Sequence, residues 1–343
     1  MKNQFDISII ICTKNRPSNL VNALNTIFIQ SVQPFEIIII DDSEDHETEL
    51  LIKNEKIYFK SLGVDIQYYK NKISKGLAEA RNIGIEKSKG EIVLFLDDDV
   101  LLHPFYLKNI VDVYKEKWPN VKGVQGHIIR NKPKGILSSV MYSVAKVFNY
   151  SYDEANVCKV LPSTHPIYPL PLNKIIPCQW LSGCNQSYHR SVFNNLLFDE
   201  ARLKAYSFKE DIDFSYRVWK KYPDQLFITP YAKLFHCESK KSCQKKTLIY
   251  MEEIYSLYFF YKNIDKSLKN IIIYIESKLC KLLYLLFAPI LPVGNHKSFK
   301  NAGYELTYYL WAQFICLKNI SKIKNKQLEL FNISFDSVKN SKD

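Results

Sequence analysis

The stretch that decides the fold runs from Glu91 to Asp99 and reads EIVLFLDDD. Five consecutive apolar residues bounded by polar ones are typical of a strand buried on both faces of a sheet. The strand ends at the acidic residues Asp97, Asp98 and Asp99. Two carboxylates about 4 Å apart repel by about 4 kcal/mol at an effective dielectric of 20, and a cation relieves that repulsion. The cluster therefore predicts a site for Mg²⁺ or Mn²⁺, with a polar strand end turning into solvent as the alternative.

Two further apolar strands come earlier in the chain. Residues 7–12 read ISIIIC and residues 35–40 read FEIIII, and each run stops at polar residues. Helical spacing follows the first strand after Pro17, and a second helix is predicted for residues 76–87. Strands that alternate with helices indicate an α/β fold with a parallel sheet covered on both faces.

The polar residues at the strand ends predict one common binding pocket. In open sheets of this kind, ligands bind outside the carboxyl ends of the strands. Thr13, Asp42 and Asp99 all follow the carboxyl end of a predicted strand. We therefore expect these three residues to face the same ligand.

Five motifs in a fixed order connect the sequence with a known family. They are IIICTKNRP at 9–17, IIIDDS at 38–43, GLAEARN at 76–82, FLDDD at 95–99 and EDID at 210–213. In this order they make residues 6–240 resemble the family 2 glycosyltransferases. The resemblance implies a GT-A fold, which is a Rossmann-like nucleotide-sugar domain with a doubly covered, mostly parallel sheet. It also implies an inverting sugar transfer from a nucleotide diphosphate donor of the UDP, dTDP or GDP type, with Mn²⁺ or Mg²⁺ bridging the diphosphate.

The resemblance assigns the donor side of the site to residues near the strand ends. Asp42 is similar to the carboxylate that contacts the base, and Asp97 to the one on the ribose or diphosphate side. Arg81 would lie beside the nucleotide. The other residues assigned to the donor nucleotide are Thr13, Asn15, Arg16 and Asp98. A turn or a helix N-cap is the alternative for Asp42, and an exposed helical arginine is the alternative for Arg81.

The metal ligands implied by the resemblance are Asp99 and His236, although a lone histidine on an apolar background also suits a protein core. Asp211 resembles the general base that removes the proton of the acceptor hydroxyl, and the adjacent Glu210 is a second candidate. Both carboxylates open an amphipathic run that predicts a helix, so offsetting the helix dipole is the alternative role.

The acceptor side is assigned to the stretch WLSGCN at 180–185, with Trp180 and Gly183 as the residues that meet the sugar. A plain turn is the alternative. The resemblance implies a saccharide or lipid-linked saccharide acceptor in polysaccharide or glycolipid biosynthesis. No Gln-x-x-Arg-Trp motif follows Asp211, which argues against a processive synthase.

The C-terminal part of the chain is basic and helical in its periodicity. Of the net charge of +12, residues from Lys240 onward carry +9, with 17 lysines and 8 acidic residues. We place a boundary near Ser242 and predict a catalytic domain at 1–242 and a helical region at 243–343. Uninterrupted apolar runs there are too short for a spanning helix. Peripheral attachment to an anionic membrane, packing on the catalytic core and a homodimer interface are the alternatives left open.

Other functional classes fit the sequence less well. The eight cysteines contain no Cys-x-x-Cys pair, which argues against a zinc ribbon or a disulfide framework and favours reduced, mostly buried thiols. The N-terminus has no signal-peptide pattern, so a cytoplasmic location is expected, at the inner face of the membrane if the tail attaches there.

A non-catalytic protein whose basic tail binds nucleic acid would leave the acidic strand ends unexplained, so no nucleic-acid partner is expected. A nucleotidyltransferase would need a glycine-rich, lysine-bearing loop after the first strand, which the sequence lacks.

Overall fold

The structure is a computed structural model that describes residues 5–71, 76–129, 143–148, 150, 152–200, 208–237, 245–287, 299–328 and 331. The chain divides into two compact units. The first unit contains Met1–Arg130, Pro171–Glu200 and Glu210–Ser239. The second contains Asn131–Leu170, Ala201–Lys209 and Lys240–Asp343. The chain passes from the first unit to the second for the last time between Ser239 and Lys240, close to the predicted boundary at Ser242. Two earlier segments also belong to the second unit. The division into domains at 1–242 and 243–343 stays a prediction.

The first unit is built on a large mixed sheet. Its strands are β1 (Ile7–Thr13), β2 (Glu36–Asp41), β3 (Asp65–Lys70), β4 (Ile92–Asp97), β5 (Val100–Leu102), β6 (Gly123–Ile128), β9 (Ile176–Pro177), β10 (Gln186–His189) and β11 (Leu226–His236). Strands β7 (Asp153–Glu154) and β8 (Tyr168–Pro169) pair with each other in the second unit. In the described part of the chain, the order across the large sheet is β3-β2-β1-β4-β10-β6-β11-β5, with β9 paired to β11.

The helices of the first unit are α1 (Pro17–Phe28), α2 (Glu47–Ser61), α3 (Leu77–Lys87), α4 (Tyr106–Lys117) and α5 (Glu210–Lys221). A short 3-10 turn spans Arg190–Val192. The second unit contains α6 (Lys245–Asn263), α7 (Leu268–Phe287), α8 (Phe299–Lys318) and α9 (Ile320–Lys324). The predicted α/β fold followed by a helical region is therefore confirmed.

The parallel half of the sheet explains why several strand ends meet. Strands β3, β2, β1 and β4 are mutually parallel, and in register Thr13 lies beside Asp41 while Cys12 lies beside Asp97. The isoleucines of β1 and β2 are buried because helices cover the sheet. Gly84 lets α3 approach β1 closely, since a Cβ at this position would lie 2.5 Å from Ile10 Cγ2. The carboxyl ends of these strands therefore form one edge.

Helix α4 and strand β6 lie between Val100 and Cys178, a stretch that contains none of the five sequence motifs. Strand β6 is hard to recognise because its sequence, GVQGHI, contains two glycines and the buried polar residue Gln125. Gln125 Oε1 accepts a hydrogen bond from the backbone N–H of Ser182 at 2.7 Å, which compensates for its burial. Hydrogen bonds to the Gln125 side chain thus let an atypical strand lie in the core.

Two further sequence-based predictions concern cysteines and membrane spans. The seven cysteines that the structure describes are free thiols, and five of them are buried, as expected. None of the helices in the described ranges is long and apolar enough to cross a membrane.

Candidate active site

Asp97, Asp99 and His236 come together where β4 ends and β5 begins, and this candidate metal cluster could hold an ion. Strand β11 pairs antiparallel with β5 and brings His236 opposite Val100, the residue after Asp99. His236 Nε2 lies 3.1 Å from Asp99 Oδ1 and 3.8 Å from Asp97 Oδ2. One ligand atom from each of the three residues lies within 4.8 Å of the others. Two carboxylates and an imidazole at this spacing suit a divalent cation, so the residues present fit the predicted metal site.

The middle carboxylate of the triplet has a different environment. Asp98 is fully buried, and its Oδ2 accepts a 2.7 Å hydrogen bond from Thr13 Oγ1. Arg16 lies 3.2 Å from Asp98 through Nη2 and 3.2 Å from Asp99 through Nη1. Burial raises the pKa of Asp98 to about 7, with Arg16 opposing this rise. Thr13 and Arg16 therefore connect the end of β1 and the loop after it to Asp98 and Asp99.

The predicted base-contacting residue lies at the end of β2. Asp42 is buried, its backbone N–H donates to Thr13 O at 2.9 Å, and its Oδ1 accepts from Asn71 Nδ2 at 2.9 Å. Asn15 has a positive φ of 54° and its N–H donates to Ser43 Oγ at 2.7 Å, which folds the β1 loop toward β2. The helix that follows β2 begins at Glu47 with His46 as its N-cap, so the helix-cap alternative for Asp42 is wrong.

Arg81 joins the metal cluster to the start of helix α5. It is buried on α3, which excludes the exposed-arginine alternative. Its Nη2 lies 3.6 Å from Asp97 Oδ1 and donates to Gly183 O at 3.2 Å. Its Nη1 donates to Glu210 Oε1 at 3.1 Å. One guanidinium thus connects three segments that are far apart in the sequence.

The two adjacent carboxylates of α5 differ in their partners. Glu210 is buried and paired with Arg81, whereas Asp211 is only partly buried. Asp211 Oδ2 accepts from Gly183 N at 2.8 Å and Oδ1 accepts from Ile212 N at 2.8 Å. Burial and the neighbouring charge of Glu210 raise the pKa of Asp211 to about 6. A carboxylate with this pKa is ionised at neutral pH and is a stronger base than an ordinary aspartate.

The predicted acceptor-side segment lies against this helix start. Gly183 is closely packed, because a Cβ there would lie 3.0 Å from Arg81 Nη2 and 3.2 Å from Asp211 Cβ, so a neighbour would have to shift. Trp180 is buried and its carbonyl accepts from Gln125 Nε2 at 3.4 Å. Gly183 therefore lies among the predicted catalytic residues, while Trp180 packs in the core behind them.

Two residues near the site were not predicted from the sequence. Asn71 follows β3 and holds Asp42, and a polar residue directly after the DIQYYK strand is the signal that could have revealed it. Asp41 accepts from Tyr68 Oη at 2.7 Å and lies 3.3 Å from Lys70 Nζ, so it links the ends of β2 and β3. Hydrogen bonds from Ser43 and Tyr68, together with the charge of Lys70, outweigh burial and lower the pKa of Asp41.

The comparison with protein families agrees with this architecture. Residues 8–197, more than half of the chain, match the model of glycosyl transferase family 2. The chain therefore belongs to this family.

Curated relatives match over shorter segments. A glycosyltransferase of Haemophilus influenzae, described as uncharacterized, is 30% identical over 115 residues, which are 34% of this chain and 36% of the relative. The poly(ribitol-phosphate) β-N-acetylglucosaminyltransferase TarP of Staphylococcus aureus is 31% identical over 177 residues, which are 45% of this chain and 51% of TarP. The matches thus span about a third to a half of these relatives.

One solved structure resembles almost the whole chain. The mannosyltransferase PcManGT from Pyrobaculum calidifontis, in complex with GDP-Man and Mn²⁺, aligns with a TM-score of 0.56 over 93% of this chain and 88% of its own. The sequence identity is 15%, so this similarity shows the fold alone. The predicted GT-A fold is confirmed.

Proposed function

We propose that this chain transfers a sugar from a nucleotide diphosphate donor to an acceptor hydroxyl, with inversion at the anomeric carbon. The observation that carries the proposal is the bridge made by Arg81. This guanidinium contacts Asp97 of the metal cluster on one side and Glu210 at the start of α5 on the other. A donor held at the strand ends would therefore lie beside the carboxylates that can activate an acceptor. Membership of glycosyl transferase family 2 favours this enzyme over the nucleic-acid-binding alternative.

The donor would be held from both ends. Asp42, oriented by Asn71, would accept from the N–H edge of the base. Asp97, Asp99 and His236 would hold a divalent ion at the diphosphate. An imidazole ligand favours Mn²⁺ over Mg²⁺, because Mg²⁺ prefers an all-oxygen shell. When bound, such an ion neutralises negative charge on the leaving diphosphate.

We assign the role of general base to Asp211 rather than Glu210. Glu210 is paired with a buried arginine, and that pair would have to break before the carboxylate could take a proton. Asp211 is oriented by the N–H groups of Gly183 and Ile212, which keeps its carboxylate in one position. It would accept the proton of the acceptor hydroxyl as oxygen attacks the anomeric carbon from the face opposite the diphosphate.

The acceptor class is proposed from the relatives alone. The name of TarP supports a saccharide or polyol-phosphate polymer as acceptor, and a lipid-linked saccharide is the second class expected. The pathway would then be polysaccharide or glycolipid biosynthesis. The cytoplasmic location stays a prediction from the sequence.

The experiment that tests this function is a donor screen. The purified chain is incubated with UDP-, dTDP- and GDP-sugars in the presence of Mn²⁺ or EDTA, and release of nucleoside diphosphate is measured. We expect one donor class to be consumed with Mn²⁺ and to be stable in EDTA. Full turnover in EDTA would refute the metal-assisted mechanism, and no turnover of any donor with Mn²⁺ and a mixture of saccharide acceptors would count against sugar transfer.

A further inference from the structure

Helix α7 has its polarity reversed with respect to an ordinary surface helix. From residue 271 to its end at Phe287, its exposed residues are all apolar: Ile272, Ile275, Leu279, Leu283, Leu286 and Phe287. Most follow one another at intervals of three or four residues, so they share one face of the helix. Lys278 and Lys281 of the same helix are turned inward, with 13% and 10% of their side chains exposed. A helix whose polar face meets water would show the opposite pattern.

The inward-facing lysines have a specific partner, which explains their orientation. Glu253 on α6 has 1% of its side chain exposed and lies 2.7 Å from both lysine Nζ atoms. Gln313 on α8 donates to the same carboxylate at 2.7 Å, and Tyr309 donates to Lys278 O at 2.8 Å. The second unit therefore has a polar connection among α6, α7 and α8, and the apolar side chains of α7 are left on its outside.

Helix α8 repeats this arrangement. Between Gly303 and Leu317 its exposed residues carry no charge, and they include Leu310, Trp311, Phe314 and Leu317. Phe314 is 59% exposed and Leu317 is 70% exposed. Two helices of one unit thus each present several exposed apolar residues on the surface, rather than single scattered ones. Such faces in soluble proteins mark sites of interaction.

We infer that the apolar faces of α7 and α8 bind an anionic lipid surface. The charge around α8 points to this occupant. Four exposed lysines lie at or just beyond its C-terminal end, namely Lys318, Lys322, Lys324 and Lys326. The sequence from Leu306 to Leu328 contains no acidic residue. An exposed apolar helix face beside lysines, with tryptophan and tyrosine among the exposed residues, has the composition of helices that lie in the membrane interface.

A second copy of the chain fits these faces less well than lipid does. In a two-fold symmetric contact the same patch faces itself, so the lysines of both copies would be brought together. An anionic surface instead attracts them, by about 1 kcal/mol for each lysine near it, which is about a fivefold change in binding. The inference does not depend on the sugar-transfer chemistry.

The test uses the full chain and sedimentation with vesicles of phosphatidylcholine, with and without about one third phosphatidylglycerol. We expect binding to the anionic vesicles that weakens as salt is raised, because exposed charges are screened within about 10 Å at 0.1 M. Phe314→Glu should lower the partition coefficient at least about tenfold, since it removes an exposed aromatic side chain that would enter the lipid and adds a charge that the anionic surface repels. Ile57→Glu is the matched control, because Ile57 is a similarly exposed apolar residue on helix α2, and it should bind like the wild type.

Two further measurements keep the inference testable. Vesicles with brominated acyl chains should quench Trp311, and Trp311→Phe should remove most of that quenching while circular dichroism shows an unchanged fold. Light scattering after size exclusion reports the oligomeric state. A dimer that fails to bind vesicles and dissociates on Phe314→Glu would overturn the inference in favour of a second copy. A monomer that binds neither vesicle type would overturn it as well.

Discussion

Replacement of Asp211 by Asn should lower kcat by about 10² to 10⁴, because it removes a general base while keeping the size of the side chain. This loss corresponds to about 3 to 5 kcal/mol of activation free energy. Donor affinity should change little. Among the described interactions, the side chain of Asp211 accepts hydrogen bonds from Gly183 and Ile212, and it forms none with Asp42 or the candidate metal cluster.

The structure also indicates what this substitution does to the fold. Both carboxylate oxygens of Asp211 accept backbone hydrogen bonds, from Gly183 and from Ile212. Asn offers only one oxygen, so one of these N–H groups loses its partner at a cost of about 1 to 3 kcal/mol. Removal of a carboxylate whose pKa is raised by burial and by Glu210 offsets part of that cost at neutral pH. We expect a folded variant with a melting temperature a few degrees lower at most.

The pH dependence gives an independent check on Asp211. A base must be deprotonated to act, so wild-type kcat should fall as the pH decreases through about 6, the raised pKa of Asp211. Below that value the rate should drop about tenfold for each pH unit. The residual rate of Asp211→Asn should lack this acid limb. An ordinary aspartate would place the limb about two pH units lower.

The assay compares turnover, donor affinity and pH profile for Asp211→Asn, Glu210→Gln and the control Asp213→Asn. Asp213 is paired with Arg217 at 3.0 Å, so its substitution should leave turnover near normal. Glu210→Gln should slow turnover by releasing Arg81, yet keep an acid limb, shifted below pH 6 because the charge of Glu210 no longer raises the pKa of Asp211. The reasoning is refuted if Asp211→Asn retains near-normal turnover and Glu210→Gln loses the acid limb, because the base is then Glu210.

The remaining predictions concern packing. Gly183→Ala should reduce kcat about tenfold, because the new methyl group displaces Arg81 or Asp211 by a few tenths of an ångström. The control Gly303→Ala, which has open space around its Cβ, should leave kcat unchanged in the same assay. Glu253→Gln should lower the free energy of unfolding, measured by urea denaturation, by about 3 to 5 kcal/mol, since two buried lysines lose their carboxylate partner. The control Glu252→Gln changes a more exposed carboxylate and should lower the free energy of unfolding by about 1 kcal/mol or less. Equal losses within either pair of variants would contradict the packing assigned here.

The sequence predicts three of the four strands in the parallel half of the sheet, and the reason is physical. Strands β1, β2 and β4 are buried on both faces, so each is a continuous apolar run that stops at a polar residue. Their common edge then follows from the geometry of parallel sheets. Strand β11 is harder to predict at its full length, because Pro230 interrupts it near a shift in its pairing with β6. That same strand carries His236 to Asp99, so the position of this predicted metal ligand depends on a feature that the sequence pattern hides.

The relation between the candidate site and the sequence differs from residue to residue. The order of the motifs points to Asp99 as a predicted metal ligand and to Glu210 and Asp211 as candidate general bases. It cannot say which of these two adjacent carboxylates is the base. That division depends on which one meets the guanidinium of Arg81, a residue 129 positions away from Glu210. Asn71 was missed because its part is to orient Asp42, and contacts of this kind leave no periodic pattern. Contacts between residues distant in sequence also decide which segments join the second unit.

The measurement that tests the central claim most directly is calorimetric titration of UDP, dTDP and GDP into the purified chain, with Mn²⁺ or with EDTA. The account predicts that one nucleotide binds with Mn²⁺, that binding is lost in EDTA, and that Asp99→Asn loses it at equal Mn²⁺. Asp112→Asn, which changes an exposed aspartate paired with Lys108 on α4, should bind like the wild type. Binding of the same strength in EDTA, or an Asp99→Asn variant that still binds with Mn²⁺ as the wild type does, would contradict it.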